Sequence, residues 1–354
     1  MTVDENRADR GPDRIARIVA ATRATAGLFD METRGLLEVH GEDRARWLDG
    51  MISGDVEALV SAGSGAGCYA TLLTNRGAIV ADLHVGLIGD VFLLESARSA
   101  IPRIEETLER FIIADDVTLI DVSEERVVRG LEGPWAGSIL SQASGESERI
   151  EPECWGEREI AGHAVLVGRF GFSGEAAFQM RMAADACRGV EEALFAAARS
   201  LASAGDTGLV RGCAEALEVM RVEAGIPSLE AELDDGVLPP EARLERAIST
   251  SKGCYVGQEI VARLRARGQV NHLLVGLRIE SGALPEIGSK LQASGRDIGE
   301  ITSVARSPAE GAIALGYVRR EHSEAGTRLD SASGAVRVTA LPFVAPAPVR
   351  GADA

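Results

Sequence analysis

Residues 252–259 read KGCYVGQE, a lysine, a cysteine and a glutamate carried on two glycines. The thiolate is the reactive form of cysteine, and a nearby ammonium favours it, so Lys252 could activate Cys254 while Glu259 would oppose the effect. A free cysteine is also a common small core residue, and that alternative stands beside the reactive one. Lysine occurs only twice, at Lys252 and Lys290, among 37 Lys and Arg residues. Either a compact ammonium is needed at 252 where a flat guanidinium would not fit, or a surface lysine has survived by chance. Gln258 and Glu259 either hydrogen-bond a heterocycle or open a helix over EIVARL, where a first-turn carboxylate is favoured by the dipole. Arg263, Arg265 and Arg267 follow; they give the local positive potential that suits an anionic ligand, or they are simply solvated.

Composition limits what this chemistry can serve. The 354 residues carry a formal charge of −17, which argues against broad nucleic-acid binding, since that needs many cations against the phosphate backbone. The start lacks the pattern of a secretion signal and no apolar run is long enough for a membrane span, so a cytoplasmic location is expected. The five cysteines, Cys68, Cys154, Cys187, Cys213 and Cys254, are scattered without CxxC or CxH spacing. They form neither a disulfide framework nor an intrinsic zinc or iron–sulfur site. The five histidines have no metal-binding spacing either.

The elements that must position these groups follow from periodicity. GLLEVHG (35–41) alternates as a strand, Glu42–Leu48 begins a helix, and CYATLLT (68–74) is a strand ending in the turn TNRG. IVADLHVGLIGDVFLLES reads as two strands around Gly89-Asp90, and residues 100–112 as a helix with Ile101, Ile104, Leu108, Phe111 and Ile112 at helical spacing. A second unit repeats the texture, with strands in HAVLVGRF and AAFQMRM, then a helix over 184–202. The polar stretch 141–153 between the halves reads as a surface loop. After residue 270, six short apolar runs separated by turn residues predict a small β-barrel. The domain expectation is a flexible segment 1–26, with a short helix as the alternative, a two-part mixed domain 27–268, a barrel 269–342 and a disordered tail 343–354. The fold class is α+β.

KGCYVGQEIVAR resembles the signature of the YgfZ family, folate-binding proteins related to the T-protein (aminomethyltransferase) of glycine cleavage and linked to iron–sulfur cluster assembly or repair. GLFDMETRGLLEVHGEDRARWLDGMISGDVEAL, LLTNRGAIVADLHV, MRVEAGIPSLEAEL with LPPEARLERAIS, and GEITSVARSPAEGAIALGYV are similar to further segments of that family, so the resemblance covers residues 27–340. It implies mixed α/β subdomains and a barrel around a central opening that holds tetrahydrofolate or a derivative. It also implies iron–sulfur client or assembly proteins as partners, with tRNA-modifying enzymes among those served.

Carried over residue by residue, the resemblance makes Cys254 part of the defining motif and points to Lys252 and Asp82 as chemical residues. Phe172, Glu175, Gln179, Arg221, Tyr255, Gln258 and Glu259 become candidate folate contacts. Where the T-protein has paired aspartates this chain has Ala81-Asp82, and the expectation is that losing one acid counts against aminomethyl transfer. Gln179 replaces an acid that closes the pterin-lining stretch, and an amide accepts fewer hydrogen bonds than a carboxylate while adding donors. Asp82 alternatively closes a hairpin, and Arg221 with Glu223 alternatively joins subdomains as a buried ion pair. The competing activity is tetrahydrofolate-dependent aminomethyl transfer or demethylation of the T-protein type.

Overall fold

The computed structural model describes residues 11–203, 208–229, 231–268, 270–281 and 283–349, without the side chains of 266 and 267. The first ten residues of the expected flexible segment and the last five of the expected tail lie outside the described residues.

Helix α1 (Pro12–Ala24) starts at a proline in its first turn, where no amide donor is missed, and leads into β1 (Ala26–Asp30). The first mixed unit comprises β2 (Arg34–His40), α2 (Arg44–Met51), α3 (Val56–Ala62), β3 (Gly67–Leu73), β4 (Ile79–Ile88), β5 (Val91–Ala97), α4 (Ile101–Glu109) and β6 (Thr118–Asp121). Its strands form one sheet in the order β3-β4-β5-β2-β6. The second unit comprises β7 (Val127–Glu132), α5 (Ala136–Ser144), β8 (Trp155–Ile160), β9 (His163–Gly168), β10 (Ala177–Met182), α6 (Cys187–Leu201) and β11 (Leu209–Arg211). With β1 these strands form a sheet in the order β11-β1-β7-β10-β9-β8.

Side chains on a strand alternate between faces, and both sheets use this in the same way. In β4, Ala81, Leu83, Val85 and Leu87 join Leu48, Ile101, Ile104 and Leu108 in a core under the helices. In β10, Phe178, Met180 and Met182 do the same under α5 and α6. The opposite faces look at one another, and Leu36 and Leu93 of the first sheet pack there against Trp155 and Leu166 of the second, with Phe170 from the loop after β9. Among the polar residues of those inner faces Asp82, His84, Glu95, Gln179 and Arg181 are buried.

Helix α7 (Ala214–Ala224) and α8 (Gln258–Arg267) precede a closed six-stranded barrel. Its strands are β12 (His272–Ile279), β13 (Lys290–Ala293), β14 (Arg296–Ser307), β15 (Gly311–Arg319), β16 (Arg328–Ser331) and β17 (Gly334–Thr339). Three expectations need correction. The segment 1–26 takes the helical alternative over its described part, where α1 buries Ile18, Val19 and Thr22. The polar stretch after 140 is not all loop, because α5 runs to Ser144 and its core face, with Ile139 and Leu140, is buried. The chain after 342 is not loose over its described part: Phe343 is buried beside Leu274 and Leu315, and its N–H bonds the Glu223 carbonyl at 2.7 Å.

Candidate active site

The inner face of β4 presents Asp82 and His84, both buried. Asp82 Oδ2 accepts a 2.8 Å hydrogen bond from the Tyr69 hydroxyl on β3. Burial, then the Asp82 charge, pushes the Tyr69 phenol well above its ordinary value, so it stays a donor across the neutral range. From β2 and β5, Arg34 and Glu95 form a two-pronged pair at 2.7 and 2.8 Å. Burial alone would raise the Glu95 carboxyl, but the Arg34 guanidinium outweighs it and holds Glu95 below the usual carboxylate range.

The second sheet answers with Gln179 and Arg181 on β10 and Glu132 at the end of β7. Arg181 is 1% exposed, and its Nη2 lies 3.2 Å from Glu95 Oε1 without the alignment of a hydrogen bond, so Nη2 and Nε have no hydrogen-bond partner among the described residues. Burial lowers the Arg181 guanidinium to about 10. Glu132 accepts the backbone N–H groups of Phe172 and Ser173 and, at 3.4 Å, the Gln179 amide N–H. Burial nevertheless pushes its carboxyl above the ordinary range. The Gln179 carbonyl oxygen is buried with no partner among the described residues.

Aromatic rings line part of the layer between. His84 stacks on Phe170 at 3.9 Å, Tyr69 is 4.8 Å from His84, and Phe172 stands edge-on to both His84 and Phe170. The Arg34 guanidinium covers the Phe172 ring at 4.5 Å. Arg34 also lines a 190 Å³ cavity with Arg98, Arg126, Glu32, Glu124 and Ser123.

The fit to a pterin can be judged from the orphaned atoms. A pterin edge carries an amino group and a ring N–H beside a carbonyl oxygen, so it needs acceptors next to donors. Gln179 Oε1 is an acceptor without a donor, and Arg181 holds donors without acceptors. A buried polar atom without a partner costs free energy, and these two side chains share one face of one strand. The residues present therefore fit a pterin by chemistry.

Of the residues singled out from sequence, Asp82, Phe172 and Gln179 come together in this layer. Ala81 corrects the argument made from the missing acid. Its side chain lies in the helix-side core, so an aspartate there would not share the face of Asp82. Glu175 is occupied elsewhere, by Arg23 at 3.2 Å and the Ala347 N–H at 2.8 Å. Arg221 is buried and bonds Glu218, Glu232, Ser303 and the Ile226 carbonyl, which ties α7 to the barrel.

The signature loop lies alongside. Tyr255 is buried in one cluster with Tyr69, Leu73 and Ile79, Gln258 reaches the Gly253 carbonyl at 3.4 Å, and Glu259 is exposed in the first turn of α8. Cys254 is exposed. The Lys252 side chain is 1% exposed; its Nζ donates to the carbonyls of Asp49, Ile52 (3.0 Å) and Gly54 (2.7 Å) and lies 3.1 Å from the Asp49 carboxylate. An ammonium has three donors, and all are used, so none is left for a thiolate. Arg263 and Arg265 are exposed; the Arg267 side chain is outside the described residues.

Sequence reasoning passed over Arg34, Tyr69, His84, Glu95, Glu132 and Arg181. Their signal was present as polar residues on alternate positions of otherwise apolar strands, as in VADLHVGL and AFQMRM.

Residues 8–252 match the GCVT N-terminal domain, and residues 273–346 match the glycine cleavage T-protein C-terminal barrel domain. The chain belongs to the glycine cleavage T-protein family. This T-protein family member is 30% identical over 336 residues to an aminomethyltransferase of Saccharopolyspora erythraea, across 91% of this chain and 88% of that one. An aminomethyltransferase of Chloroherpeton thalassium is 30% identical over 314 residues, 87% of this chain and 83% of its own length. A putative chloroplastic transferase of Arabidopsis thaliana is 26% identical over 304 residues, 84% and 66%. The crystal structure of aminomethyltransferase T from Bartonella henselae superposes with a TM-score of 0.83 at 24% identity, covering 96% and 92% of the two chains, so this T-protein family member shares its fold. Among the described residues no helix is long and apolar enough to cross a membrane.

Proposed function

We propose that this chain binds a reduced folate between its two sheets and transfers a one-carbon unit with it, as a tetrahydrofolate-dependent aminomethyltransferase of the T-protein type. The supporting observation is the pairing of a buried carboxylate, Asp82, with unsatisfied pterin-edge partners, Gln179 and Arg181, on the facing sheet. When bound, the folate supplies the ring nitrogens that carry one-carbon units. Asp82, fixed by the Tyr69 hydroxyl, holds negative charge beside the place where such a nitrogen would react. Phe172 and Phe170 exclude water and give the heterocycle an aromatic wall. Arg126, at the cavity that Arg34 also lines, suits a carboxylate of a folate's glutamate tail, whereas Arg98 there is held by Glu124.

Calorimetric titration with tetrahydrofolate tests this directly. Wild type is expected to bind; Gln179→Ala should weaken binding about tenfold, the loss of one buried hydrogen bond, and Asp82→Asn should bind while losing turnover on aminomethylated carrier protein. No binding by wild type would refute the reading.

A second reading is favoured by the exposure of Cys254 at the outer side of the signature loop: a YgfZ-type accessory role in iron–sulfur cluster assembly or repair, with the thiol meeting a client. It predicts that a gene deletion lowers iron–sulfur enzyme activity under oxidative stress and that Cys254→Ala does not restore it. Full rescue by that variant, with turnover on the carrier protein, would leave the transfer reading alone.

A further inference from the structure

The layer between the sheets holds a titratable pair to which one-carbon transfer through Asp82 gives no task. His84 lies two residues beyond Asp82 on β4 and therefore on the same face. Its Nδ1 is 2.8 Å from Glu153 Oε2, and its Nε2 makes no hydrogen bond among the described residues. The ring is clamped by Phe170 on one side and Tyr69 on the other, and Tyr69 is the residue that donates to Asp82. Glu153 is aimed with some insistence. Its backbone sits at φ 63, a region that residues other than glycine seldom occupy, and its second oxygen is held by Arg246 at 3.2 Å. Burial would raise the Glu153 carboxyl, but His84 and Arg246 outweigh it and keep it below the ordinary range. A carboxylate on Nδ1 fixes the tautomer and leaves Nε2 as the basic atom.

We propose that His84, oriented by Glu153, is the second proton-carrying group of the folate site, working beside Asp82. Nε2 takes the proton that a reacting N–H gives up: that N–H bond breaks, its electron pair stays on the nitrogen, and imidazolium forms against the Glu153 carboxylate before the proton passes to water. No oxidant or reductant enters. The groups facing His84 are Tyr69 from β3, Asp82 from β4, Glu95 from β5, Glu153 from the turn before β8, and Arg246 behind Glu153. Arg34 and Arg181 reach it through Glu95, and the turn at 170–172 contributes only rings. The carboxylates of Asp82, Glu95 and Glu153 thus stand close to the guanidiniums of Arg34, Arg181 and Arg246.

This inference rests on the folate reading, and one set of measurements separates the two. Imidazole NMR of the full chain should show the His84 ring resonances moving when tetrahydrofolate is added, because Nε2 gains a partner. Calorimetry in buffers of different ionisation heat should show proton exchange on binding. His84→Asn should still bind but lose that exchange, and Glu153→Gln should bind with the exchange reduced, because Nδ1 is no longer held by a carboxylate. Binding with unchanged proton exchange in His84→Asn, or wild-type His84 resonances indifferent to ligand, overturns the proposal while leaving the folate reading standing. Failure of wild type to bind tetrahydrofolate overturns both. Should His84→Asn not fold, the loss of exchange in Glu153→Gln decides.

Discussion

At the scale of single residues, the lysine that stands out in an arginine-rich chain is explained by three carbonyls rather than by a thiol. Asp49, Ile52 and Gly54 end α2 and the turn after it, where backbone oxygens are left without intrahelical donors. A point charge with three rotatable donors can serve three convergent oxygens, whereas a planar guanidinium cannot. Lys252→Met should therefore cost about 3 kcal/mol, the scale of breaking a buried ion pair, and Lys252→Arg should fail to restore it; urea denaturation of both variants checks this. The thiols separate just as sharply. Cys254 is exposed, whereas burial, then Glu153, pushes the Cys68 thiol up to about 12. At neutral pH a thiol-exchange reagent should label Cys254 first and the half-buried Cys68 more slowly. The folded chain holds the Cys68 proton more tightly than the unfolded one, so its stabilising contribution is intact below the ordinary thiol value and is lost as pH rises towards about 12. Cys68→Ala should flatten the alkaline limb of a stability profile.

At the scale of elements, two turns that are 180 residues apart in sequence are built to touch. Gly257 has φ 83, and a Cβ there would stand 2.6 Å from the Thr74 carbonyl; Gly77, at φ 78, faces Ile260 at 3.0 Å. The turn TNRG and the signature loop thus meet glycine to glycine. Gly253, the other glycine of the frame, has nothing within 4 Å of its Cβ position. Gly257→Ala should then cost about 1–3 kcal/mol in strain, with Gly253→Ala close to neutral, and paired thermal melts decide between this and a shared role. This is also where legibility in the sequence ends. Alternation and turn residues were enough for the hairpin about Gly89-Asp90 and for all six barrel strands, because those signals are local. Phe111, given to the helix after Pro102 by its spacing, falls beyond Glu109, a boundary set by the chain turning away. The facing of two sheets is not local, and neither is the identity of the polar residues trapped between them. Asp82, Phe172 and Gln179 could be named by resemblance; that Lys252 serves the backbone and that Glu175 serves Arg23 depended on partners 152 to 203 positions away.

At the scale of the whole molecule, α1, α7 and the barrel are held together by one buried polar knot and the apolar cluster around it. Arg23 of α1 reaches Glu223 of α7 at 2.6 Å and Glu175 at 3.2 Å; Glu223 also takes the Ser307 hydroxyl of β14, and the Ala347 N–H closes on Glu175. Ile18, Met220, Leu274 and Phe343 pack around it. Burial, against the pull of the Ala347 N–H and Arg23, leaves the Glu175 carboxyl above the ordinary range. A carboxyl that binds its proton more tightly folded than unfolded stabilises below the unfolded value and loses that contribution as pH rises through the folded one. Among the described residues Arg23 is the one cation paired with either acid in the knot, so Arg23→Met should let the Glu175 carboxyl move up further. Its stability loss should accordingly be small at about pH 4 and grow towards neutrality, reaching about 3 kcal/mol, as for a buried charge left without its partner. Denaturation midpoints across that range give the sign directly: a loss that shrank with rising pH would mean that Arg23 is held by the acids without in turn holding the three units to one another.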